Sequence, residues 1–351
     1  MIRRSLAAIG LASALAFTAP TASAEPLKEL IFGVISTEST QNLRSVWDPF
    51  IADMQKKLGM PVKAYFAPDY AGVIQAQRFG KVDIAWYGNK SAIEAVDRAN
   101  GEVFVQTVSA QGLPGYWSVL ITHKDNPLAQ FEPVKSSGAA FDPEKYKTCE
   151  PCMAYLVKNS KALTLANGDP NSTSGFLVPS YYVFTLNKMD AKKDFKRMIT
   201  ANHETNALAV ANKQVDFATN NTENLERMAK NFPEKFAQIR TFWISPLIAS
   251  DPIVWRKNLD EADKQKLRDF FLTYGAGGSD AENERKILAG LQWAPFRASS
   301  NKQLVPFRQL ELAREKTKIE GDDAMAAADK AGKLAEIETK LAAFDKEMAT
   351  N

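Results

Sequence analysis

The sequence has little of what metal enzymes and nucleic-acid-binding proteins need. Two histidines and two cysteines in 351 residues are too few for a typical metal enzyme. Lys and Arg number 44 against 41 Asp and Glu, so the concentrated basic surplus of a nucleic-acid-binding protein is missing. After the first residues, no run of about eighteen uncharged apolar residues offers a membrane-spanning helix. We therefore expect no nucleic-acid partner, no metal and no cofactor.

Sequence motifs of common hydrolases are absent as well. The chain contains neither a Gly-x-Ser-x-Gly nucleophile elbow nor a His-Glu-x-x-His zinc motif. Paired carboxylates of the kind that glycosidases use stay open, because any Asp and Glu could meet in space. At 45% apolar and 24% charged residues the composition is that of an ordinary globular protein, and the length predicts two domains.

The first 24 residues have the three parts of a secretory signal peptide. Arg3 and Arg4 form the basic start, residues 9–17 form a short apolar core, and residues 22–24 (Ala-Ser-Ala) suit a signal peptidase. We predict cleavage before Glu25. No cysteine follows the apolar core, so a lipid anchor is not expected, and the mature protein should be exported.

The two cysteines, Cys149 and Cys152, lie in a polar stretch between residues 135 and 160. In an oxidising compartment two cysteines usually form a structural disulfide. A redox-active thiol pair is the alternative, but the surroundings do not have the strand-to-helix pattern of that motif. Zinc would need two more ligands, and the histidines are His123 and His203. We predict a disulfide that pins a surface loop.

Strand and helix patterns alternate along the chain. Apolar runs predict strands at residues 30–35, 61–66, 82–87, 117–122, 163–166, 215–218, 239–244 and 253–255. Helical spacing predicts a helix with Trp47, Phe50, Ile51, Met54 and Leu58 on its buried face, and others at residues 70–79, 90–99, from 172 onwards and around 207–211. Such alternation is typical of parallel strands with crossover helices, so we expect an α/β fold in two halves.

The chain turns strongly helical after Pro306. One apolar stripe recurs there at steps of three and four residues and consists of Leu334, Ile337, Leu341, Phe344 and Met348. A helix packed on its own domain and a helix that joins two copies in a homodimer explain this stripe equally well.

The run at residues 167–175, Asn-Gly-Asp-Pro-Asn-Ser-Thr-Ser-Gly, follows a predicted strand and opens an apolar helix. The first N–H groups of a helix lack internal partners, and the hydroxyls of Ser172, Thr173 and Ser174 add donors beside them. Together they would suit a tetrahedral oxyanion, with up to ~2 kcal/mol from the helix dipole. Plain N-capping, which needs one of the three side chains, explains the run equally well. It is not a nucleotide phosphate loop, because the Gly-Lys-Ser ending is absent.

Five further residues are candidates for a ligand site. His203 precedes an apolar helix and could give a charge-assisted hydrogen bond to the same anion. Glu223 follows a predicted strand in what should be a pocket-facing loop, and Asp251 precedes another strand. Tyr70 and Tyr116 are aromatic residues that carry a hydroxyl. Each also has an ordinary structural explanation, as a surface histidine, a solvated carboxylate or a half-buried tyrosine.

Several stretches resemble one known family. They include Phe-Ala-Pro-Asp-Tyr-Ala-Gly-Val-Ile at residues 66–74, Asp-Ile-Ala-Trp-Tyr-Gly-Asn-Lys at 83–90 and Trp-Ala-Pro-Phe-Arg at 293–297, with residues 115–118, 168–182, 203–224 and 251–257. The family is that of the periplasmic phosphonate-binding proteins of ABC importers. The resemblance covers nearly all of residues 25–312 and is looser in the tail. It departs at the region of Cys149 and Cys152, which looks like an insertion.

The resemblance implies an α/β, two-lobed type II periplasmic binding protein fold with a helical C-terminal tail, which closes on its ligand like a hinge. It divides the chain into a signal peptide (1–24), lobe 1 (25–118 and 249–312), lobe 2 (119–248) and the tail (313–351). It also implies a periplasmic location and an inner-membrane ABC permease with its ATPase as partners.

The resemblance further implies which residues bind the ligand. The phosphonate would be held by Tyr70, Tyr116, Ser172, Thr173, Ser174 and His203. The amino group of 2-aminoethylphosphonate would be met by Glu223 and Asp251. A zwitterion fits an anion site beside carboxylates, whereas bare phosphate leaves the carboxylates unexplained.

We therefore expect a binding protein rather than an enzyme, with 2-aminoethylphosphonate as its ligand. One alternative is a phosphite or methylphosphonate binding protein of the same fold, in which the two carboxylates would not contribute to affinity. Another is a periplasmic phosphoester or phosphonate hydrolase that uses a hydroxyl beside His203 as its nucleophile.

Overall fold

The computed structural model describes residues 26–131 and 149–349. The predicted signal peptide lies outside the described residues, and so does much of the polar stretch before the cysteines. Within the described ranges, no helix combines the length and apolar character that crossing a bilayer requires.

The bounds of the regular elements are as follows. The strands are β1 (Leu30–Val34), β2 (Val62–Phe66), β3 (Ile84–Trp86), β4 (Gly101–Ser109), β5 (Gly115–Tyr116), β6 (Ser118–His123), β7 (Thr164–Asn167), β8 (Arg197–Thr200), β9 (Phe217–Asn221), β10 (Ile239–Ile244), β11 (Ile248–Ala249), β12 (Pro252–Arg256) and β13 (Trp293–Ala298). The helices are α1 (Thr40–Leu58), α2 (Tyr70–Arg78), α3 (Asn89–Arg98), α4 (Glu150–Asn159), α5 (His203–Ala211), α6 (Thr222–Asn231), α7 (Pro233–Phe236), α8 (Glu261–Thr273), α9 (Ala281–Gly290), α10 (Val305–Glu320) and α11 (Ala327–Ala349).

Two sheets organise the chain. The first has the order β13-β4-β12-β3-β1-β2 and the second the order β10-β6-β9-β7-β8. Strands β1, β2 and β3 are parallel, as are β7, β8 and β9, and helices connect them as the sequence predicted. The strands β12, β13, β6 and β10 instead pair antiparallel with their neighbours. We call the parts of the chain around these sheets lobe 1 and lobe 2.

The chain passes between the lobes through a two-stranded ribbon of β5 and β11. A Cβ atom on Gly115 would lie 1.9 Å from the carbonyl oxygen of Ile248, so only glycine lets the two strands approach this closely. The first sheet takes its strands from residues 30–109 and 252–298, and the second from residues 118–244. The lobe boundaries that we propose follow this division of the strands except at Ser118, which begins β6 of the second sheet.

An aromatic cluster forms the core of lobe 1. The Phe50 ring lies 6.0 Å from Trp47 and 5.3 Å from Tyr274, and Phe104 stacks on Trp255 at 4.1 Å. The face of α1 that the sequence predicted to be buried is buried throughout. The helix ends at Gly59, whose φ of 63° is in the left-handed region. Buried aromatic rings contribute a large share of such a core's stability.

The stretch around the cysteines is not the loop that the sequence predicted. Cys149 caps α4, and Pro151 occupies the first turn, where a missing N–H costs nothing. The structure joins Cys149 and Cys152 in a disulfide with a Cα–Cα distance of 5.3 Å. Because Cys152, Met153 and Leu156 are buried, apolar packing holds this segment as a helix, and the disulfide closes its first turn.

The helix expected from residue 172 onwards is mostly π-helical. Two π-helical segments, Thr173–Leu177 and Ser180–Thr185, follow one another. The N–H of Leu177 donates to the carbonyl of Ser172 at 3.0 Å, a bond five residues long. Such segments are rare and occur frequently at functional sites.

The C-terminal helices α10 and α11 pack against each other. Ile337 of the predicted apolar stripe is buried, Leu334, Leu341 and Phe344 are half-buried, and Met348 is 43% exposed. Lys316 on α10 pairs with Glu338 on α11 at 2.9 Å. Packing within the chain therefore covers most of the stripe.

Candidate ligand-binding site

All eight predicted ligand-binding residues line one cavity between the two lobes. They are Tyr70, Tyr116, Ser172, Thr173, Ser174, His203, Glu223 and Asp251. The remaining lining residues are Ile35, Thr37, Trp86, Gly88, Asn221 and Arg227. Loops and helix starts at the carboxyl ends of strands supply most of them, which is where α/β sheets place their ligands.

The three hydroxyls of residues 172–174 have three different partners. Ser172 caps its own π-helical segment, because its Oγ accepts a hydrogen bond from the N–H of Gly175 at 2.9 Å. Thr173 Oγ1 accepts from the N–H of Lys90 at 2.9 Å, and Ser174 Oγ accepts from Asn221 Nδ2 at 3.1 Å. N-capping thus explains Ser172, whereas Thr173 reaches the other lobe and Ser174 faces β9.

Two glycines let the backbones meet around these hydroxyls. A Cβ atom on Gly175 would lie 2.8 Å from Ser172 Oγ and 3.0 Å from the His203 ring. A Cβ atom on Gly88 would lie 3.0 Å from Thr173 Oγ1. Any side chain at either position would force its neighbours apart.

His203 begins α5 and faces the hydroxyl run. Its Nε2 lies 3.4 Å from Ser172 Oγ and 3.5 Å from Ser174 Oγ. Burial, with a smaller effect from Arg227, lowers the pKa of His203 to about 3. The ring is therefore neutral at neutral pH, and the charge-assisted bond expected from the sequence would require a bound anion to raise that pKa.

The two tyrosines face the same cavity from lobe 1 and the ribbon. Tyr70 begins α2, and its hydroxyl forms a hydrogen bond with the Ser172 side chain. The Tyr116 hydroxyl donates to Asp251 Oδ1 at 2.9 Å. Burial raises the pKa of both hydroxyls, so both keep their protons and remain hydrogen-bond donors.

The two carboxylates lie close enough to repel each other. Asp251 is buried, and Glu223 is half-buried at the start of α6. Burial raises the pKa of both groups; Glu223 raises that of Asp251 further, whereas Arg227 lowers that of Glu223. Two such groups in one cavity favour a cationic ligand. Its positive charge would offset the cost of burying the two negative charges and would reduce their mutual repulsion.

Residues 220–223 are not the loop that the sequence predicted. Asn220 and Asn221 end β9, and Thr222 and Glu223 begin α6. Asn221 caps this helix, accepting a hydrogen bond from the N–H of Asn224 at 2.7 Å. Glu223 consequently projects from the first turn of a helix, whose N-terminal dipole favours its negative charge.

Arg227 is a cavity residue that the sequence analysis missed. It forms an ion pair with Glu38, and its Nη1 donates to Gln292 Oε1 at 2.6 Å. The spacing of four residues between Glu223 and Arg227 is the available sequence signal, since it puts both on one helix face. The signal counts only if the segment is helical, and it was predicted as a loop.

A group of carboxylates elsewhere in lobe 1 consists of Asp53, Asp280 and Glu284, whose oxygens lie within 4.8 Å of one another. Lys57 Nζ lies 2.8 Å from Asp280 and 2.6 Å from Glu284. The lysine therefore supplies the positive charge that this group needs.

Two lobes joined by a ribbon, with a polar cavity between them, define a substrate-binding protein of the two-lobed periplasmic class. A family described as "ABC transporter, phosphonate, periplasmic substrate-binding protein" matches residues 32–304. The chain belongs to this family of periplasmic phosphonate-binding proteins.

Individual relatives agree with the family. The "Phosphonates-binding periplasmic protein" of Escherichia coli K12 is 52% identical over 342 residues, which cover 97% of this chain and 93% of that protein. A solved binding-protein component of a phosphonate ABC transporter from Pseudomonas aeruginosa is 51% identical, with a TM-score of 0.82 over 92% of this chain and 98% of that one. A Prochlorococcus marinus protein solved with methylphosphonate has a TM-score of 0.65 over 82% of this chain and 99% of that one; at 21% identity it supports the fold alone.

Family membership establishes the general role of the chain. It is the periplasmic phosphonate-binding component of an ABC phosphonate transporter and works with a membrane permease and its ATPase. The hydrolase alternative is therefore wrong, because members of the family bind a substrate and are not enzymes.

Proposed function

We propose that the preferred ligand is 2-aminoethylphosphonate, held by the eight residues predicted from the sequence. The observation that carries the proposal is that Glu223 and Asp251 share one cavity with the hydroxyl run of residues 172–174. An anion site and a pair of carboxylates in one small cavity match a short zwitterion.

The phosphonate end would meet neutral donors. These are the Tyr70 hydroxyl, the His203 ring and the N–H groups at the start of the π-helical segment. Each can donate to a phosphonate oxygen without bringing a net charge into the cavity. Hydrogen bonds to a charged acceptor contribute about 1.5–3 kcal/mol each.

The ammonium end would meet Glu223 and Asp251. A cation between them would lower the pKa of both carboxyl groups and remove their mutual repulsion. Tyr116, which the resemblance assigns to the phosphonate, would instead stay hydrogen-bonded to Asp251 and hold that carboxylate in place.

A second candidate for the preferred ligand follows from the raised pKa of Asp251. A protonated Asp251 is a hydrogen-bond donor, so it would suit an anion without an amino group, such as phosphite or methylphosphonate. In that case, unlike in the sequence-based form of this alternative, protonated Asp251 would bind the anion directly, and an amino group on the ligand would bring no advantage.

Titration calorimetry of the ligand-stripped protein tests the proposal, with 2-aminoethylphosphonate, ethylphosphonate, phosphite and phosphate measured in parallel. Ethylphosphonate is the matched control, because it lacks only the amino group. Tighter binding of the amino compound by tenfold or more, about 1.4 kcal/mol, is expected. Equal or tighter binding of phosphite would favour the second candidate.

We also propose that residues 1–24 are a signal peptide that is cleaved before Glu25. The basic start, the apolar core and the small residues at 22–24 support it. Expression of the full chain in a Gram-negative host, followed by N-terminal sequencing of the periplasmic product, tests it. A mature chain that starts at another residue would contradict cleavage before Glu25, and a full-length chain would contradict the signal peptide.

A further inference from the structure

We propose that Arg227 is a positioning residue for the amine subsite, which we define as Glu223 and Asp251. In this role Arg227 pairs with Glu38 of the other lobe and supplies positive charge to Glu223, with which it lines one cavity. The inference rests on the proposed function, because it concerns recognition of the ligand's amino group.

The contacts of Arg227 connect the two lobes. Arg227 lies on α6 of lobe 2, and Glu38 lies between β1 and α1 of lobe 1. Their side chains are 16% and 4% exposed, so water screens this ion pair little. Gln292, which precedes β13 of lobe 1, accepts a second hydrogen bond from Arg227 and donates to Glu226 at 3.1 Å. Lobe 1 thus holds the guanidinium at two points.

The charges around Glu223 make Arg227 important for keeping Glu223 ionised. Glu226 and Arg227 lie on its own helix, and Arg227, four residues on, lines the same cavity. Glu38 in the β1–α1 connection, Tyr116 in the ribbon and Asp251 just before β12 also interact electrostatically with Glu223. Of the groups that act on its pKa, Arg227 lowers it, whereas burial and the two glutamates raise it.

Loss of Arg227 would leave Glu223 facing other carboxylates without a compensating cation. Its pKa would then rise, and Glu223 would take up a proton at a pH where it is now ionised. A protonated Glu223 no longer attracts an ammonium group. If the ion pair between Arg227 and Glu38 were purely structural, breaking it would weaken the binding of all phosphonates to the same extent.

The test compares R227Q with wild type by titration calorimetry from about pH 5 to about pH 9, using 2-aminoethylphosphonate and ethylphosphonate. The ratio of the two dissociation constants isolates recognition of the amino group. Comparison with wild type at each pH cancels the ligands' own titration. Lys230→Gln is the matched control, since it removes an exposed positive charge from the same helix.

We expect R227Q to reduce the preference for the amino compound about tenfold at neutral pH, which corresponds to about 1.4 kcal/mol. The pH below which this preference is lost should be higher in R227Q than in wild type. K230Q should leave both unchanged, and R227K should retain most of the preference because it keeps the charge. The double variant E38Q/R227Q leaves no unpaired charge at position 38, so it should fold. Its loss of preference should be smaller than that of R227Q, because Glu38, which raises the pKa of Glu223, is removed as well.

The proposal would be overturned if R227Q and the double variant weakened the binding of both ligands equally, without a shift in pH dependence. Arg227 would then be a contact between the lobes and nothing more. A wild-type protein that does not distinguish the two ligands would instead overturn the amine subsite, and the role of Arg227 with it. The two failures are therefore distinct.

Discussion

Thr173 of lobe 2 caps a helix of lobe 1. Its Oγ1 accepts a hydrogen bond from the N–H of Lys90 at 2.9 Å, at the start of α3. The N-cap residue of this helix is Gly88, which has no side chain with which to do so. One of the first N–H groups of α3 is therefore satisfied when the lobes lie together, and the contact adjoins the ligand cavity.

Replacing Thr173 by Val should raise the dissociation constant of every phosphonate about fivefold, because a lost helix cap costs roughly 1 kcal/mol. The effect should be similar for 2-aminoethylphosphonate and ethylphosphonate, since Thr173 does not meet the amino group. Dissociation constants of T173V and T173S decide the matter, and T173S, which keeps the hydroxyl, should resemble wild type. Wild-type affinity in T173V would show that this cap does not contribute to closure.

Replacing Glu223 by Gln should weaken 2-aminoethylphosphonate between about tenfold and a hundredfold, because a hydrogen bond to a charged group contributes about 1.5–3 kcal/mol. Ethylphosphonate should bind as well as before or better, since a half-buried carboxylate that repels its charge has gone. Glu234→Gln removes an exposed carboxylate from the next helix, α7, and is the control. Equal loss for both ligands would mean that Glu223 shapes the cavity rather than binding the amino group.

His203 should make the protein less stable in mild acid. Its pKa is about 3 in the folded protein against 6.5 for an ordinary histidine. As the pH falls below 6.5, the unfolded chain binds a proton that the folded chain does not, so the free energy of unfolding decreases. H203Q lacks this effect, and the difference between wild type and variant should change by up to about 1.4 kcal/mol per pH unit between pH 6.5 and about 3.

Urea unfolding at a series of pH values measures that difference. The raised pKa values of Glu223 and Asp251 act in the opposite direction in both proteins and largely cancel. Above pH 6.5 the free energies of unfolding of wild type and H203Q should change with pH in parallel. Parallel curves over the whole range would contradict the low pKa of His203.

The disulfide should stabilise the fold without affecting ligand binding. It closes a loop of four residues, for which chain entropy predicts about 2 kcal/mol, and neither cysteine lines the cavity. The variant C149S/C152A keeps a capping side chain at position 149 and an apolar one at 152. It should unfold at lower urea concentration, as should reduced wild type, with the dissociation constant for 2-aminoethylphosphonate unchanged. A large loss of affinity would connect α4 to the cavity.

Strong local patterns were sufficient to predict much of the fold. The helix α1 has apolar residues at regular helical spacing, and β1 and β2 are short apolar runs followed by turn residues, so both kinds of element were predicted. The sequence analysis also left unassigned β4, α8 and α9, although β4 is a nine-residue, mostly buried strand. Other unassigned elements carry weaker signals. The strand β8 is four residues long and lies at the edge of its sheet, and α6 buries just Asn224 and Met228 completely.

The candidate site residues could be named from the sequence because the chain resembles a family, and the structure brings all eight into one cavity. Their partners could not be named. Thr173 meets Lys90, and Arg227 meets Glu38, across separations of 83 and 189 residues. No local pattern records such pairs.

The sequence by itself determined the α/β class, the buried face of α1, the hydroxyl run and its resemblance to the phosphonate-binding family, because periodicity and motifs are local properties of a chain. Only the tertiary structure decided that the cysteine segment is helical, that His203 is neutral and that Arg227 belongs to the site. Each of these depends on burial and on charges contributed by distant segments, which exist only once the two lobes are packed together.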